Sequence, residues 1–363
     1  MTKATKPSRV LIAMSSGVDS SMTAHLLKEQ GYDCVGVHFN MWKDPVLGHN
    51  WQNSAEAAEE VCKKIGIHFH ALNLQEVFKE KIVDKFLEDY KSGKTPNPCV
   101  RCNKLIKFAY LLKLADELDC DFISTGHYLR LEKETTENGE EIVHMKKAKD
   151  LTKDQSYFLY RLDQSELSRL IFPLGEFTKV KIRQIAADAG FPELSEKAES
   201  QDICFYPEKS NRQFLERHLK EGEDFQSGDI TDSQGNKLGQ HRGLPFYTLG
   251  QRKGLNIGGG PALFVENFDH EKNQITVSPQ KEQRKKEIHL REVNFPTGKI
   301  PSPDTQLEAR IRHHGELHPA KITAQSGSTA TVIFQGQGPN FPVAGQSLVL
   351  YQSDELIGGG IML

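Results

Sequence analysis

The sequence predicts an α/β protein: a Rossmann-like parallel-sheet domain, then a small central domain, then a C-terminal β-barrel. Three observations lead there. Apolar runs alternate with helix-patterned stretches through the first third of the chain, the repeat of a parallel sheet with helices on both faces. A Gly/Ser-rich turn joins the first apolar run to the first amphipathic stretch. The stretch Ile288–Leu363 alternates apolar and polar residues between frequent Gly and Pro, the texture of a small barrel.

Strands are expected at Arg9–Met14, Cys34–Phe39, Ile67–Leu72 and Asp121–Thr125. Helices are expected at Ser20–Gln30, Ser54–Ile65, Gln75–Tyr90 and Asn103–Leu118. Val18, Met22 and Leu26 recur at four-residue steps on one helical face, and Gly31 supplies a stop. Asn138-Gly139 marks the turn of a hairpin over Tyr128–Lys149. The helix Lys179–Ala189 ends at Gly190 and Pro192. After Pro207 a short helix, Asn211–Lys220, leads into Gly-rich short strands through roughly Pro279, and the charged run Lys281 to Lys286 reads as a linker. Domains are therefore expected at 1–207, 208–285 and 286–363.

Composition narrows the class. A formal charge of −3 argues against a protein that coats nucleic acid wholesale, but allows local basic patches. No apolar run is long enough to span a membrane, and Met1 to Arg9 holds no apolar signal core, so a cytoplasmic protein is expected. Six cysteines in so long a chain do not suggest a disulfide framework. Cys34, Cys62 and Cys120 sit in apolar or helical patterns and read as inert buried thiols.

The turn Met14-Ser15-Ser16-Gly17-Val18-Asp19-Ser20-Ser21 follows a strand and opens a helix. Small residues let backbone amides approach an anion, hydroxyls add donors, and the helix N-terminus adds partial positive charge. It has neither the G-x-G-x-x-G of dinucleotide binders nor the P-loop pattern, since Glu88 stands where the first Gly ahead of Gly93-Lys94-Thr95 should be. It resembles instead the S-G-G-x-D-S pyrophosphatase loop of ATP-dependent adenylating enzymes, with Ser16 in place of the first Gly.

The second informative segment is Thr95-Pro96-Asn97-Pro98-Cys99-Val100-Arg101-Cys102-Asn103. Two prolines fix what reads as an exposed turn, and Cys102 falls at the start of the expected helix. A helix N-terminus, helped by Arg101 and Lys104, favours a thiolate there. Cys99 and Cys102 form C-x-x-C, which also suits zinc or an iron–sulfur cluster, although a second C-x-x-C is absent and His127 or Cys204 could complete a site only by long-range folding. The third segment, Ser200-Gln201-Asp202-Ile203-Cys204-Phe205, lies about a hundred residues beyond Cys102. Two such cysteines suit sulfur transfer, one carrying a persulfide and the other resolving it by a disulfide.

Taken in order, these segments resemble the tRNA-specific 2-thiouridylases, from end to end of the chain. The resemblance also rests on Ser124-Thr125-Gly126-His127-Tyr128, Lys153-Asp154-Gln155-Ser156-Tyr157-Phe158-Leu159, Gly239-Gln240-His241-Arg242-Gly243, Tyr247-Thr248-Leu249-Gly250-Gln251-Arg252-Lys253-Gly254-Leu255 and Gly358-Gly359-Gly360-Ile361. It implies a PP-loop ATPase domain, ATP as substrate with Mg²⁺, and no tightly bound metal or iron–sulfur cluster. It implies tRNA as partner, with Lys, Glu and Gln acceptors, and a persulfide donor such as a cysteine desulfurase or a sulfur-relay protein.

The resemblance also implies roles. Ala13, Met14, Ser15, Ser16, Gly17, Val18, Asp19 and Ser20 would bind ATP with Phe39 and Gly126, Asp19 positioning the magnesium–pyrophosphate group. Cys102 would be the nucleophile and Cys204 the persulfide carrier, joined in a transient disulfide, and the target base would lie against Asn97, Pro98 and Cys99. His127, Lys153, Asp154, Gln155, Arg312, His313 and Gln346 would touch tRNA. Two basic clusters, Lys146, Lys147, Lys149 and Lys153 near the hairpin and Arg310, Arg312, His313 and His314 in the barrel, would suit a folded RNA. Ala13 and Ser16 stand where the family often has Gly, Phe39 where it often has Met, and Cys99 where it often has Asp. The alternatives are an iron–sulfur tRNA thiolase with the same ATP loop, an amide-forming synthetase, and a non-catalytic tRNA-binding relative.

Overall fold

The computed structural model describes residues 7–47, 52–196, 203–206, 208, 211–258, 260–279 and 284–363. Ser200, Gln201 and Asp202 of the third segment, and most of the charged run from Lys281, lie outside the described residues.

Five strands form the parallel sheet: β1 (Arg9–Ala13), β2 (Asp33–Asn40), β3 (His68–Asn73), β4 (Phe122–Ser124) and β7 (Leu170–Ile171), in the order β3-β2-β1-β4-β7. Val10, Leu11 and Ile12 are fully buried, as expected of a central strand covered on both faces. From β1 the chain moves outward through helix α1 (Val18–Glu29) to β2, while β4 pairs with the other edge of β1. The strand order therefore reverses between β1 and β4. Ligands of such sheets bind where the loops after those two strands part.

The predicted hairpin is present as β5 (Leu129–Thr135) and β6 (Glu141–Lys147). Six later strands close into an antiparallel barrel, and its last strand, Glu355–Met362, also pairs with β6 through Glu355↔Lys146 and Leu356↔Met145. The hairpin thus ties the parallel-sheet region to the barrel. Between them lies a four-stranded sheet built from Gly228–Thr231, Lys237–His241, Phe264–Asp269 and Gln274–Ser278. Among the described residues no helix is long and apolar enough to cross a membrane.

The structure differs from expectation at the cysteine segment. Its helix begins at Pro98, not Asn103, with Asn97 as the N-cap: the Asn97 side chain accepts from the Val100 amide. Pro96 and Pro98 are buried, so the proline turn is an inward-facing wall and not an exposed one. Cys102 consequently sits one turn inside the helix. From Asn103 to Phe108 the helix is wound as a π turn before α-geometry resumes over Ala109–Glu117.

Candidate active site

The loop expected to bind ATP is shaped by its backbone. β1 ends at Ala13, and Ser16 adopts φ of 57°, the left-handed region that favours glycine. Gly17 caps α1 with no side chain to occupy the helix N-terminus. The hydroxyls expected to add donors are turned inward: those of Ser20 and Ser21 donate to the Gly17 carbonyl at 3.2 and 2.9 Å. Ser20 Oγ also accepts from the Ser15 amide at 3.1 Å. They fix the loop and leave backbone amides as its anion-facing donors.

Gly126, after β4, lies against this first turn. A Cβ placed there would stand 2.9 Å from the Ser20 amide nitrogen and 3.0 Å from Asp19, so only glycine allows the two loops to touch. Phe39, one residue before the end of β2, is buried in the main core and shows little open surface. Asp19 is held by two partners that sequence reasoning missed. Lys179 Nζ lies 2.6 and 2.8 Å from its two carboxylate oxygens, and the Tyr128 hydroxyl donates at 2.7 Å. Lys179 opens its own helix, whose cap is the Thr178 hydroxyl oxygen.

A second site is a cavity of roughly 710 Å³. Cys99, Cys102 and Cys204 all line it, with Asn97, Pro98, Asn103, Lys107, His127, Lys153, Gln155, His313 and Gln346. Folding therefore joins the two cysteine segments. Cys204 is positioned by its neighbour: Phe205 is buried among the rings of Phe78, Phe86, Phe214 and Tyr206, at centroid distances of 6.0, 5.2, 5.2 and 5.3 Å. Cys204 itself is exposed and lines the cavity.

The expected thiolate at Cys102 is corrected by burial. Desolvation pushes the Cys102 thiol up to about 12 and that of Cys99 to about 11, and raises Cys204 as well. Arg101 faces Asp89 and Lys104 bonds Asp163 and Glu166, so neither serves the thiols. The cation that acts on all three is Lys107. It lies five residues beyond Cys102, and the intervening π turn brings it to the cavity wall. Asn103 was also missed as an individual site residue. It is buried and lines the cavity, and its Oδ1 has no hydrogen-bond partner.

The residues expected to touch tRNA divide. Lys153, Gln155, His127, His313 and Gln346 line the cavity. Gln346 grips the cysteine loop, donating to the Thr95 and Pro96 carbonyls at 2.9 and 3.1 Å. His127 is buried, contacts Thr125 Oγ1 at 2.6 Å through Nδ1, and is held well below its ordinary titration range by desolvation, so it is neutral. Gln155 Oε1 accepts from the Tyr128 amide. Asp154 points inward, accepting from the Ala148 amide and the Ser156 hydroxyl. Arg312 is outside the cavity wall and donates to the Phe341 carbonyl. The hairpin lysines are a correction: Lys146 pairs with Glu132, Asp354 and Glu355, Lys149 pairs with Glu176, and Lys147 is buried against Tyr351. Lys146 and Lys147 thus anchor the hairpin and are not open, whereas Lys149 stays exposed beside Glu176 and Lys153 turns to the cavity.

The two sites share a wall made by three consecutive residues. Gly126 rests on the cradle, His127 lines the thiol cavity, and Tyr128 bonds Asp19. The class that this fold and paired site define is a PP-loop sulfurtransferase. Residues 8–208 match the model of the tRNA methyl transferase HUP domain, 212–279 that of the tRNA methyl transferase PRC-barrel domain, and 285–362 that of the aminomethyltransferase beta-barrel domain. The chain is 42% identical over 362 residues to the tRNA-specific 2-thiouridylase MnmA of Halothermothrix orenii, covering 98% of each, and 38% identical over 359 residues to that of Clostridioides difficile, again covering 98% of each. It belongs to the family of tRNA-specific 2-thiouridylases. A solved U34-tRNA thiolase, NcsA from Methanococcus maripaludis, overlaps 60% of this chain and 66% of its own at 18% identity and a TM-score of 0.36, too loosely to bear on the chemistry.

Proposed function

We propose that the protein converts the wobble uridine of tRNA to 2-thiouridine, using ATP to activate the base and a cysteine persulfide to supply sulfur. The observation that carries this reading is the shared wall: Gly126, His127 and Tyr128 set the nucleotide cradle beside a cavity that holds both Cys102 and Cys204.

ATP binds with its phosphates on the α1 amides, and Mg²⁺ enters with them, because Mg²⁺ is held through few protein carboxylates and mainly by substrate phosphates. The uracil enters the thiol cavity against Asn97, Pro98 and Cys99. The uracil 2-oxygen attacks the α-phosphorus and pyrophosphate leaves. The terminal sulfur of a Cys204 persulfide then attacks C2 and AMP leaves. The Cys102 thiol attacks the Cys204 sulfur, its proton passing to N3 of the departing thiouracil, so the sulfane sulfur stays on the base and a Cys102–Cys204 disulfide forms. Lys153 and His313 at the cavity face the RNA, and His127 contributes a neutral ring. Lys, Glu and Gln tRNAs are the expected acceptors, a desulfurase or relay protein the donor, and the cytoplasm the compartment.

The test is nucleoside mass spectrometry of unmodified tRNA incubated with the protein, Mg²⁺-ATP and a persulfide source. ATP-dependent 2-thiouridine at the wobble position is the expected product. Sulfur in cytidine, or at another position, would overturn the assignment.

A further inference from the structure

The cavity holds one thiol more than the proposed reaction uses. Cys204 carries sulfur and Cys102 resolves it, but Cys99 lines the same space from the same helix, three residues before Cys102. The three thiols are close enough to affect one another's ionisation, and Lys107 acts on each. Their accessibility differs. Cys102 is only 5% exposed, Cys99 is half-buried, and Cys204 opens onto the cavity.

That gradient creates a difficulty for a two-cysteine cycle. Its end product, the Cys102–Cys204 disulfide, leaves Cys204 unable to accept new sulfur. A reductant entering the cavity meets Cys204 first, and attack there keeps the carrier occupied as a mixed disulfide until the reductant's second thiol displaces it. Attack at the Cys102 sulfur would release Cys204 free, but Cys102 is buried. Cys99 is its neighbour one turn back on the same helix. Residues three apart on a helix have Cβ atoms about 5–6 Å apart, and a disulfide needs about 3.5–4.5 Å. The first turn, Pro98–Cys102, must therefore tighten by about 1–2 Å.

We propose that Cys99 is the resolving thiol that resets the carrier, an inference that rests on the thiolation reading above. The Cys99 thiolate attacks Cys102 Sγ in the Cys102–Cys204 disulfide. The Cys99–Cys102 bond forms, the Cys102–Cys204 bond breaks, and Cys204 departs with the electron pair as a thiolate. The proton lost by Cys99 is matched by the one Cys204 regains. The exchange is redox-neutral and uses no outside reagent. A dithiol reductant, protein or small molecule, then reduces the Cys99–Cys102 disulfide at the accessible Cys99 sulfur, returning both thiols and leaving as its own disulfide. Meanwhile Cys204 is free for reloading.

The experiment uses the full chain with Cys204 loaded as persulfide, unmodified tRNA and Mg²⁺-ATP. One turnover is quenched in acid, free thiols are alkylated, and disulfides are mapped by peptide mass spectrometry. The expected end product is Cys99–Cys102, with Cys204 alkylated. In Cys99→Ser and Cys99→Ala the mapped bond becomes Cys102–Cys204. The ratio of steady-state rate to first-turnover rate then falls about 100-fold, the loss of an intramolecular thiol's effective concentration. A Cys102–Cys204 bond as the end product in the parent, with a normal yield of 2-thiouridine, overturns the role of Cys99 and leaves the thiolation reading standing. An unchanged rate ratio in both variants overturns it too. Absence of 2-thiouridine from the parent's first turnover sinks the thiolation reading, and this cycle with it.

Discussion

Lys179 Nζ contacts both carboxylate oxygens of Asp19, at 2.6 and 2.8 Å, across 160 residues of sequence. Lys179 is buried while Asp19 remains about a third exposed, at 34% of its side chain. The pair therefore presents a neutralised carboxylate beside the α1 amides. An uncompensated acid there would repel the phosphates that the amides attract.

Lys179→Met is expected to weaken ATP binding and to slow pyrophosphate release more than Asp19→Ala does, because it leaves the negative charge in place. Its cost to folding falls between an exposed pair and a buried one, about 2 kcal/mol. Pyrophosphate release and chemical denaturation of the two variants check this. A Lys179→Met protein with parental ATP affinity would remove Lys179 from the nucleotide site.

Cys204→Ser is expected to abolish thiolation while tRNA-dependent release of pyrophosphate persists. Adenylation rests on the α1 loop and sulfur transfer on the cavity thiols, and Gly126–Tyr128 touch both. Loss of both activities in a folded variant would refute the division of roles.

The thiols should report their burial through pH. With Cys102 pushed up to about 12, its alkylation by iodoacetamide in the RNA-free protein should climb about tenfold per pH unit from pH 7 to 10, without a plateau near 8.5. Lys107→Gln should slow it further at any fixed pH. The sign for stability follows from the same shift. The folded state favours the neutral thiol, so this contribution is fully present below the unfolded-state value near 8.5 and is lost as pH rises toward 12. A plateau at the ordinary thiol value would show that the cavity opens freely to water.

Phe205→Ala removes the ring that seats Cys204 in its aromatic cluster. Such a truncation costs about 3–5 kcal/mol when the site cannot collapse. Sulfur transfer should fall well below adenylation in what remains folded. Measured together, parental rates of both would show that Cys204 is placed by something other than Phe205.

Much of this architecture was legible in the sequence because local pattern carries it. The strand–turn–helix around Gly17, the hairpin at Asn138-Gly139 and the barrel texture all follow from periodicity and turn residues. The two cysteine segments could be paired by chemistry alone. Lys179 and Tyr128 could not be assigned to Asp19, because nothing local marks a partner 109 or 160 residues away. Lys107 escaped notice because an ordinary helical turn does not align it with Cys102, whereas a π turn does. Lys146 looked like free charge because its acids, Asp354 and Glu355, come from the far end of the chain. Cys102 looked reactive because charge was weighed without burial.

The hold of Gln346 on the Thr95 and Pro96 carbonyls carries a consequence for the order of events in the cell. A ribosome that has reached Cys204 has made all three cavity thiols, but Gln346, which fixes the loop ahead of Cys99 and Cys102, is still more than a hundred codons away. The nascent chain thus carries its reactive thiols through most of its synthesis without the clamp that orders them. The clamp on the cysteine loop can close only after Gln346 has been made, and a chain that ends before it lacks that hold.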